Sequence, residues 1–379
     1  MLPFILYKDL HASPLQITAI IALKPLVSIF SVYWSAAINK RKDRLVSNVI
    51  GANICGHLPF FFFPLVDNAW FFVVSFGFYM MMARGGVPAW MEILKLNIPQ
   101  GHRERLFAFG SSFEYVGGGI LPFAMGWVLD GYFQAWRWIF PITAVVSLVA
   151  AIFQYRIPIK IQDLCIIETA RPSLSKQICG PWKSAWELLR RRPDFFQLQL
   201  GFMLGGTGLV LMQPALPVFF VDVLQLSYTE LAVALTLFKG VGFAVTSPLW
   251  ARWINKIDIY RFLCWVSLLA ALFPLCLLLA PLHMVWLYVG YLVFGIMQAG
   301  SELSWNMSGP IFAKEEDSSI YSSVNILTVG LRGCFAPVCG SLICFWSNSS
   351  TVMVLGFILC LLAAWRMGAD SKKLRVAIE

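Results

Sequence analysis

Residues 34–40 read Trp34-Ser35-Ala36-Ala37-Ile38-Asn39-Lys40, and 216 residues later the chain reads Trp250-Ala251-Arg252-Trp253-Ile254-Asn255-Lys256. The correspondence extends outward from this pair in order. Lys24 matches Lys239, Gly85 matches Gly300, Trp90 matches Trp305 and Pro122 matches Pro337, each 215 residues apart. Pro3 matches Pro217 and Ser13 matches Ser227, each 214 apart. Ordered matches at nearly one spacing, from residue 3 to residue 122, mark a duplicated half.

Composition says what the halves are made of. Of 379 residues, 59% are hydrophobic and 13% charged, with a mean hydropathy of +0.72. A soluble domain is nearer half apolar and a quarter charged. Runs near 20 apolar residues, long enough to cross about 30 Å of hydrocarbon as helix, recur at 14–38, 45–65, 69–97, 106–130, 137–157, 194–222, 228–254, 259–281, 284–308, 318–346 and 349–366. These eleven spans predict an all-α polytopic membrane protein whose solvent is the lipid bilayer. Internal Pro and Gly, such as Pro122 and Pro337, are tolerated in membrane helices.

The Lys and Arg residues sort by loop. Alternate loops hold 23 of the 29, the other loops hold Lys8 and Arg137, and Lys24, Arg84, Lys239 and Arg332 fall inside spans. Positive residues stay on the cytoplasmic side, so the bias orients the chain with its C-terminus cytoplasmic. A bacterial inner membrane is the expected location. The net charge of +9 thereby reads as topology. A nucleic-acid partner would need a clustered basic face with aromatic platforms, and none is visible. The nine cysteines form no CxxC pair, and His11, His57, His102 and His283 are far apart. Neither a zinc motif nor a Gly-rich phosphate loop is present, so no metal and no cofactor is expected. Trp127, Trp136 and Trp138 suit an interfacial aromatic belt.

The repeat also predicts a gap. Pro217 sits near the outer end of the span at 194–222, and its counterpart is Pro3. The first half then lacks its first span, and six plus six becomes five plus six. A start codon upstream and a genuine eleven-span or decayed product are both open explanations.

The loop WSAAINKRKDRL at 34–45 resembles the signature of the Major Facilitator Superfamily between its second and third spans: a Gly, three residues, an Asp, then basic residues and a Gly. WARWINKIDIYR at 250–261 resembles the degraded second copy that the family carries, and residues 83–126 look like its fourth span, basic loop and fifth span. The resemblance implies the major facilitator fold: two six-helix bundles, the first truncated. Residues 1–157 would form the N-terminal bundle, 158–193 a cytoplasmic linker, and 194–379 the C-terminal bundle and tail. It further implies a secondary active transporter working by alternating access, with a small-molecule substrate, as a monomer, and not an enzyme. The gating-loop residues would be Asn39, Lys40, Arg44, Asn255 and Lys256. Ser35 and Lys42 replace the two glycines, and Asn39 and Asn255 replace Asp. An uncharged amide there implies a gate held differently from the family's charged network.

Charges inside spans are the site candidates, because a charge at the bilayer centre costs on the order of 3 kcal/mol or more and normally faces a cavity. By the resemblance, the fourth and tenth spans of the full fold line the cavity, and they hold Arg84, Trp90, Gln298, Glu302 and Trp305 here. Arg84 reads as a substrate or coupling contact, or as a structural ion pair with Glu114. Lys24 and Lys239 read as a symmetric pair of anion contacts, or as side chains that snorkel near span ends. Arg332 is a further anion contact. Trp90 and Trp305 could stack on a ring-bearing substrate. Glu302, with Glu114, is the candidate for proton coupling, since a carboxyl in a partly dry cavity holds its proton more tightly. Four cations against two clear acids lean toward an organic anion. The rival readings are a non-transporting receptor or transporter remnant, and a membrane enzyme acting on a lipid-linked substrate, for which only the HRER segment at 102–105 offers any chemistry. In the linker, SAWELLRRR at 184–192 suits an amphipathic helix on the inner membrane face.

Overall fold

The computed structural model describes residues 2–23, 25–27, 44–97, 117–118, 120–132, 134–157, 174–254, 256–313 and 318–376. Among them there is helix and no strand. The chain divides into two compact units, residues 1–171 and 172–379.

In the first unit the elements are α1 (Leu2–Lys8), α2 (Pro14–Val27), α3 (Leu45–His57), α4 (Ala69–Asn97), α5 (Ile120–Gly131) and α6 (Trp136–Tyr155). A 3-10 turn, Leu58–Leu65, extends α3, where Pro64 interrupts the α-helical ladder. In the second unit α7 (Leu174–Arg191) precedes α8 (Pro193–Met212) and the short α9 (Ala215–Val218). Then follow α10 (Tyr228–Ile254, with a π-helical turn at Ala234–Phe238), α11 (Ile259–Leu279), α12 (Val285–Ala313), α13 (Ser318–Trp346) and α14 (Ser349–Val376). Among the described residues seven helices are long and apolar enough to cross a membrane, and α2 and α5 are shorter apolar helices. With the 29-residue α4 and α12, helix occurs in each of the eleven expected spans. Residues 28–38 and 106–116 of two of those spans lie outside the described residues.

Local chemistry fixes where these helices start. Ser13 Oγ accepts from the Gln16 N–H at 3.4 Å while Gln16 Oε1 accepts from the Ser13 N–H at 2.7 Å. Ser227 and Glu230 make the same reciprocal pair at 3.1 and 2.9 Å, a capping box that satisfies two orphan donors. Asp258 caps α11 by accepting from the Arg261 N–H at 2.8 Å. The second unit packs α11 between α12 and α14, α10 on α12, and α8 on α13 and α14.

Close helix approach depends on glycine at several crossings. A Cβ on Gly295 of α12 would lie 2.1 Å from the Lys239 carbonyl of α10, and one on Gly340 of α13 would lie 1.9 Å from the Leu211 carbonyl of α8. Lipid tails are as apolar as leucine, so helices in a bilayer associate by such backbone-close packing rather than by hydrophobic burial. Outward faces carry large apolar residues such as Phe335, Phe345, Trp346 and Trp365, as a lipid-facing surface requires.

In the first unit Trp127 and Trp138 are exposed, as an aromatic belt needs, but Trp136 is 1% exposed. Its ring packs on Phe72 at 5.0 Å. The helix start at Trp136 turns that side chain inward, while Arg137 lies over the indole, bonds Asp67 and donates to the Pro64 carbonyl at 3.0 Å.

Candidate functional site

One stretch of α8, GFMLGGTG at 201–208, sets the geometry. Gly201 and Gly205 let α14 pack closely, a Cβ there lying 2.1 Å from Met367 Cε and 3.3 Å from Ala363 Cβ, and Gly206 leaves bare backbone on the face toward α13. Arg332, about halfway along α13, lies across that face. A Cβ on Gly206 would sit 1.5 Å from Arg332 Nη1, so any larger residue there would displace the guanidinium. Nη1 donates to the Phe202 carbonyl at 3.0 Å, and the guanidinium lies 5.5 Å from the centre of the Phe202 ring. Nε is buried without a hydrogen-bond partner, and no carboxylate pairs with Arg332 among the described residues.

Arg332 forms part of the wall of a cavity of about 300 Å³ inside the second unit. Most of the lining is apolar and comes from α8, α11 and α12, with Phe202, Phe273, Tyr291 and Phe294 as its aromatic part and Ser267, Ser301 and Gln213 as polar points. Ligand pockets have this character: an apolar surround with a few placed polar groups. Lys239 packs its ammonium 5.2 Å from the Phe294 ring. Trp305 of α12 also packs on the arginine's partner, its ring 5.7 Å from Phe202. Two residues singled out from sequence, Arg332 and Trp305, thus converge through a third, Phe202, that was not.

Beneath this lies a buried polar network joining α8, α12 and α13. Gln199 is 4% exposed and Asn325 3%, and the Gln199 amide donates to the Asn325 side-chain oxygen. Asn325 Nδ2 donates to Ser308 Oγ at 2.8 Å and reaches the Trp305 carbonyl at 3.3 Å. The Thr328 hydroxyl stands 3.1 Å from Gln199 Oε1. Residues 199, 202 and 206 on α8 and 325, 328 and 332 on α13 follow the three- and four-residue spacing of one helical face. The network and the arginine are therefore successive rungs between the same two helices. At the linker end Arg192 pairs with Asp194 at 3.0 Å and donates to Tyr321 Oη at 2.9 Å, and Tyr260 Oη donates to the Asp194 carbonyl at 2.6 Å.

The remaining sequence candidates are dispersed. Gln298 Oε1 on α12 is buried with no hydrogen-bond partner among the described residues. Glu302, one turn further on, is exposed. In the first unit Arg84 on α4 is exposed, and Trp90 packs against the cluster of Leu45, Val49, Ala89 and Ile93. Arg44 and Lys256 are exposed at helix ends. Lys24, Asn39, Lys40, Glu114 and Asn255 lie outside the described residues. Gln199 and Asn325 were missed, although an amide in an apolar run, as at Gln298, is a weaker form of the signal that a charge gives.

The family profile described as Major Facilitator Superfamily matches residues 1–337. A single-residue variant of the nucleoside transporter NupG has a similar structure, with a TM-score of 0.71 at 12% identity, covering 97% of this chain and 94% of that one. A POT family transporter solved with a thioalcohol-conjugated peptide gives 0.71 at 14% identity, over 98% and 92%. A bacterial homologue of the human lysosomal transporter Spinster, solved inward-facing and unoccupied, gives 0.58 at 14% identity, over 95% and 96%. No curated protein sequence matches the chain significantly.

Proposed function

The chain belongs to the Major Facilitator Superfamily and is an integral membrane secondary transporter, not an enzyme, and we propose that its solute is a small organic anion carried by alternating access. The observation that carries this reading is Arg332. A guanidinium in the middle of a membrane helix has to be compensated, and no carboxylate of the described residues compensates it. Its one hydrogen-bond partner among the described residues is a backbone carbonyl, which accepts a hydrogen bond but supplies no counter-charge. A bound anion supplies it. Lys239, its ammonium 5.2 Å from the Phe294 ring, adds positive potential near the same cavity, and Trp305 packs on the Phe202 ring.

On this reading Arg84 and Lys24 are the first unit's cationic counterparts, Gln298 offers an acceptor, and Glu302 carries the coupling proton, with Glu114 as its partner in that role. Symport follows from that assignment. The positive-inside bias supports a bacterial inner membrane with the C-terminus cytoplasmic, and the protein works as a monomer without nucleic acid. The gating residues are Asn39, Lys40, Arg44, Asn255 and Lys256.

The test is uptake of radiolabelled organic anions into proteoliposomes holding the full chain. Wild type accumulates an anion, Arg332→Ala loses at least tenfold of that uptake, and Arg332→Lys retains a part. Uptake by Arg332→Ala equal to wild type would sink the assignment.

A further inference from the structure

Size, charge and wall chemistry of the cavity narrow the solute further, on the premise that Arg332 is the anion contact. We infer that the solute is a compact apolar monocarboxylate, its carboxylate on Arg332 and its body against Phe273, Tyr291 and Phe294.

Size comes first. The cavity of about 300 Å³ is at the small end of the range for ligand pockets, roughly 300–1,000 Å³. A cavity of that size suits a compact ligand.

Charge comes second. Arg332 is the one ionisable cation or anion on the described wall. A second negative charge on the ligand would meet no second cation on the described wall, to which Lys239 does not belong, and an unpaired buried charge costs far more than a buried amide or hydroxyl. A monoanion is matched and a dianion is not.

Geometry comes third. Nη1 is already bonded to the Phe202 carbonyl, while Nε has no partner and no protein bond is made by Nη2 among the described residues. The Nε–Nη2 edge is a guanidinium edge that can receive a planar carboxylate bidentately, through two parallel N–H···O bonds, once the guanidinium turns its buried Nε toward the cavity. Gly206 supports the assignment, since the guanidinium occupies the space that any side chain there would take.

Wall chemistry comes last. Ser267, Ser301 and Gln213 are few polar groups for a sugar, whose hydroxyls would each need a partner once buried. Aromatic and aliphatic walls instead favour an apolar body at about 25 cal/mol per Å² removed from water.

Benzoate has the required size, charge and shape and serves as the probe. Equilibrium binding to the purified full chain in detergent is measured by titration calorimetry, against benzamide (neutral), phthalate (dianionic) and inorganic phosphate. Benzoate is expected to bind at least tenfold tighter than each of the three. Arg332→Gln removes the margin over benzamide, and Arg332→Lys keeps part of it. Ser301→Phe fills the cavity and abolishes benzoate binding while the protein elutes as wild type on size exclusion. If phthalate or phosphate binds in place of benzoate and needs Arg332, the monocarboxylate class is overturned while the anion site stands. If benzamide equals benzoate in wild type and in Arg332→Gln, the anion site itself is overturned. Undiminished benzoate binding by Ser301→Phe overturns the location.

Discussion

At the scale of the residue, the arrangement around Arg332 shows how little of a site's energy resides in the bonds that shape it. Interhelical hydrogen bonds in membrane proteins average about 0.6 kcal/mol and reach about 1.7. The Gln199–Asn325–Ser308 network is thus a small part of the fold's stability, yet it fixes the rotation of α8 and α13 about one turn from Phe202 and two turns from Arg332. Replacing Asn325 by Leu leaves the Gln199 amide and Ser308 short of partners, a loss of about 1–3 kcal/mol by soluble-protein measure and nearer the lower figure in lipid. Asn325→Leu should therefore cost on the order of 1 kcal/mol in urea or thermal unfolding of the solubilised protein, while the double variant with Gln199→Leu costs no more than the single. A strictly additive double variant would show that the two amides are uncoupled. Arg332 was legible because a charge in an apolar run has no ordinary explanation. Phe202 and Gly206 were not, because an aromatic and a glycine in such a run are unexceptional until the partner helix is in place.

At the scale of the element, the repeat acquires a mechanical meaning. The match of Ser13 to Ser227 is a match of capping boxes: Ser13 with Gln16, and Ser227 with Glu230, each exchange reciprocal hydrogen bonds at a helix start. A spacing of two polar residues was readable. That both were caps followed only from the backbone. Trp136 shows the opposite outcome. Its composition and place near a span end suited an aromatic belt, but helix phase turns it under Phe72. The glycine crossings make the sharpest prediction at this scale. Gly295→Ala puts a methyl 2.1 Å from the Lys239 carbonyl, whereas Gly240→Ala meets nothing within 4 Å. Overpacking costs about 1–3 kcal/mol. Gly295→Ala should lower the thermal midpoint of the purified protein by several degrees and Gly240→Ala should leave it unchanged or slightly raised, as scanning fluorimetry would read. Equal midpoints would mean that α10 and α12 do not cross at Gly295.

At the scale of the whole molecule, coupling is the property that no single element carries. Glu302 sits one helical turn from the orphaned oxygen of Gln298 on α12, and a coupling carboxyl has to exchange its proton as the transporter cycles. In proteoliposomes with an inward proton gradient, Glu302→Gln should abolish accumulation against the solute gradient while leaving downhill counterflow within about threefold of wild type. Accumulation equal to wild type would remove Glu302 from the coupling. The membrane character, the eleven helical intervals, the duplicated halves and the family resemblance were all present in the amino-acid order. Each is a one-dimensional quantity: hydropathy summed over a window, charge sorted by loop, residues recurring at a fixed spacing. A bilayer about 30 Å thick converts such sums directly into helices across a slab. What the tertiary structure alone decided was contact. That Arg332 lies on Gly206 and Phe202, 126 and 130 positions away, and that Gln199 meets Asn325, depends on how each helix is rotated about its axis and slid along its neighbour. Those two degrees of freedom are set by side-chain packing between helices, and no sum along one chain contains them.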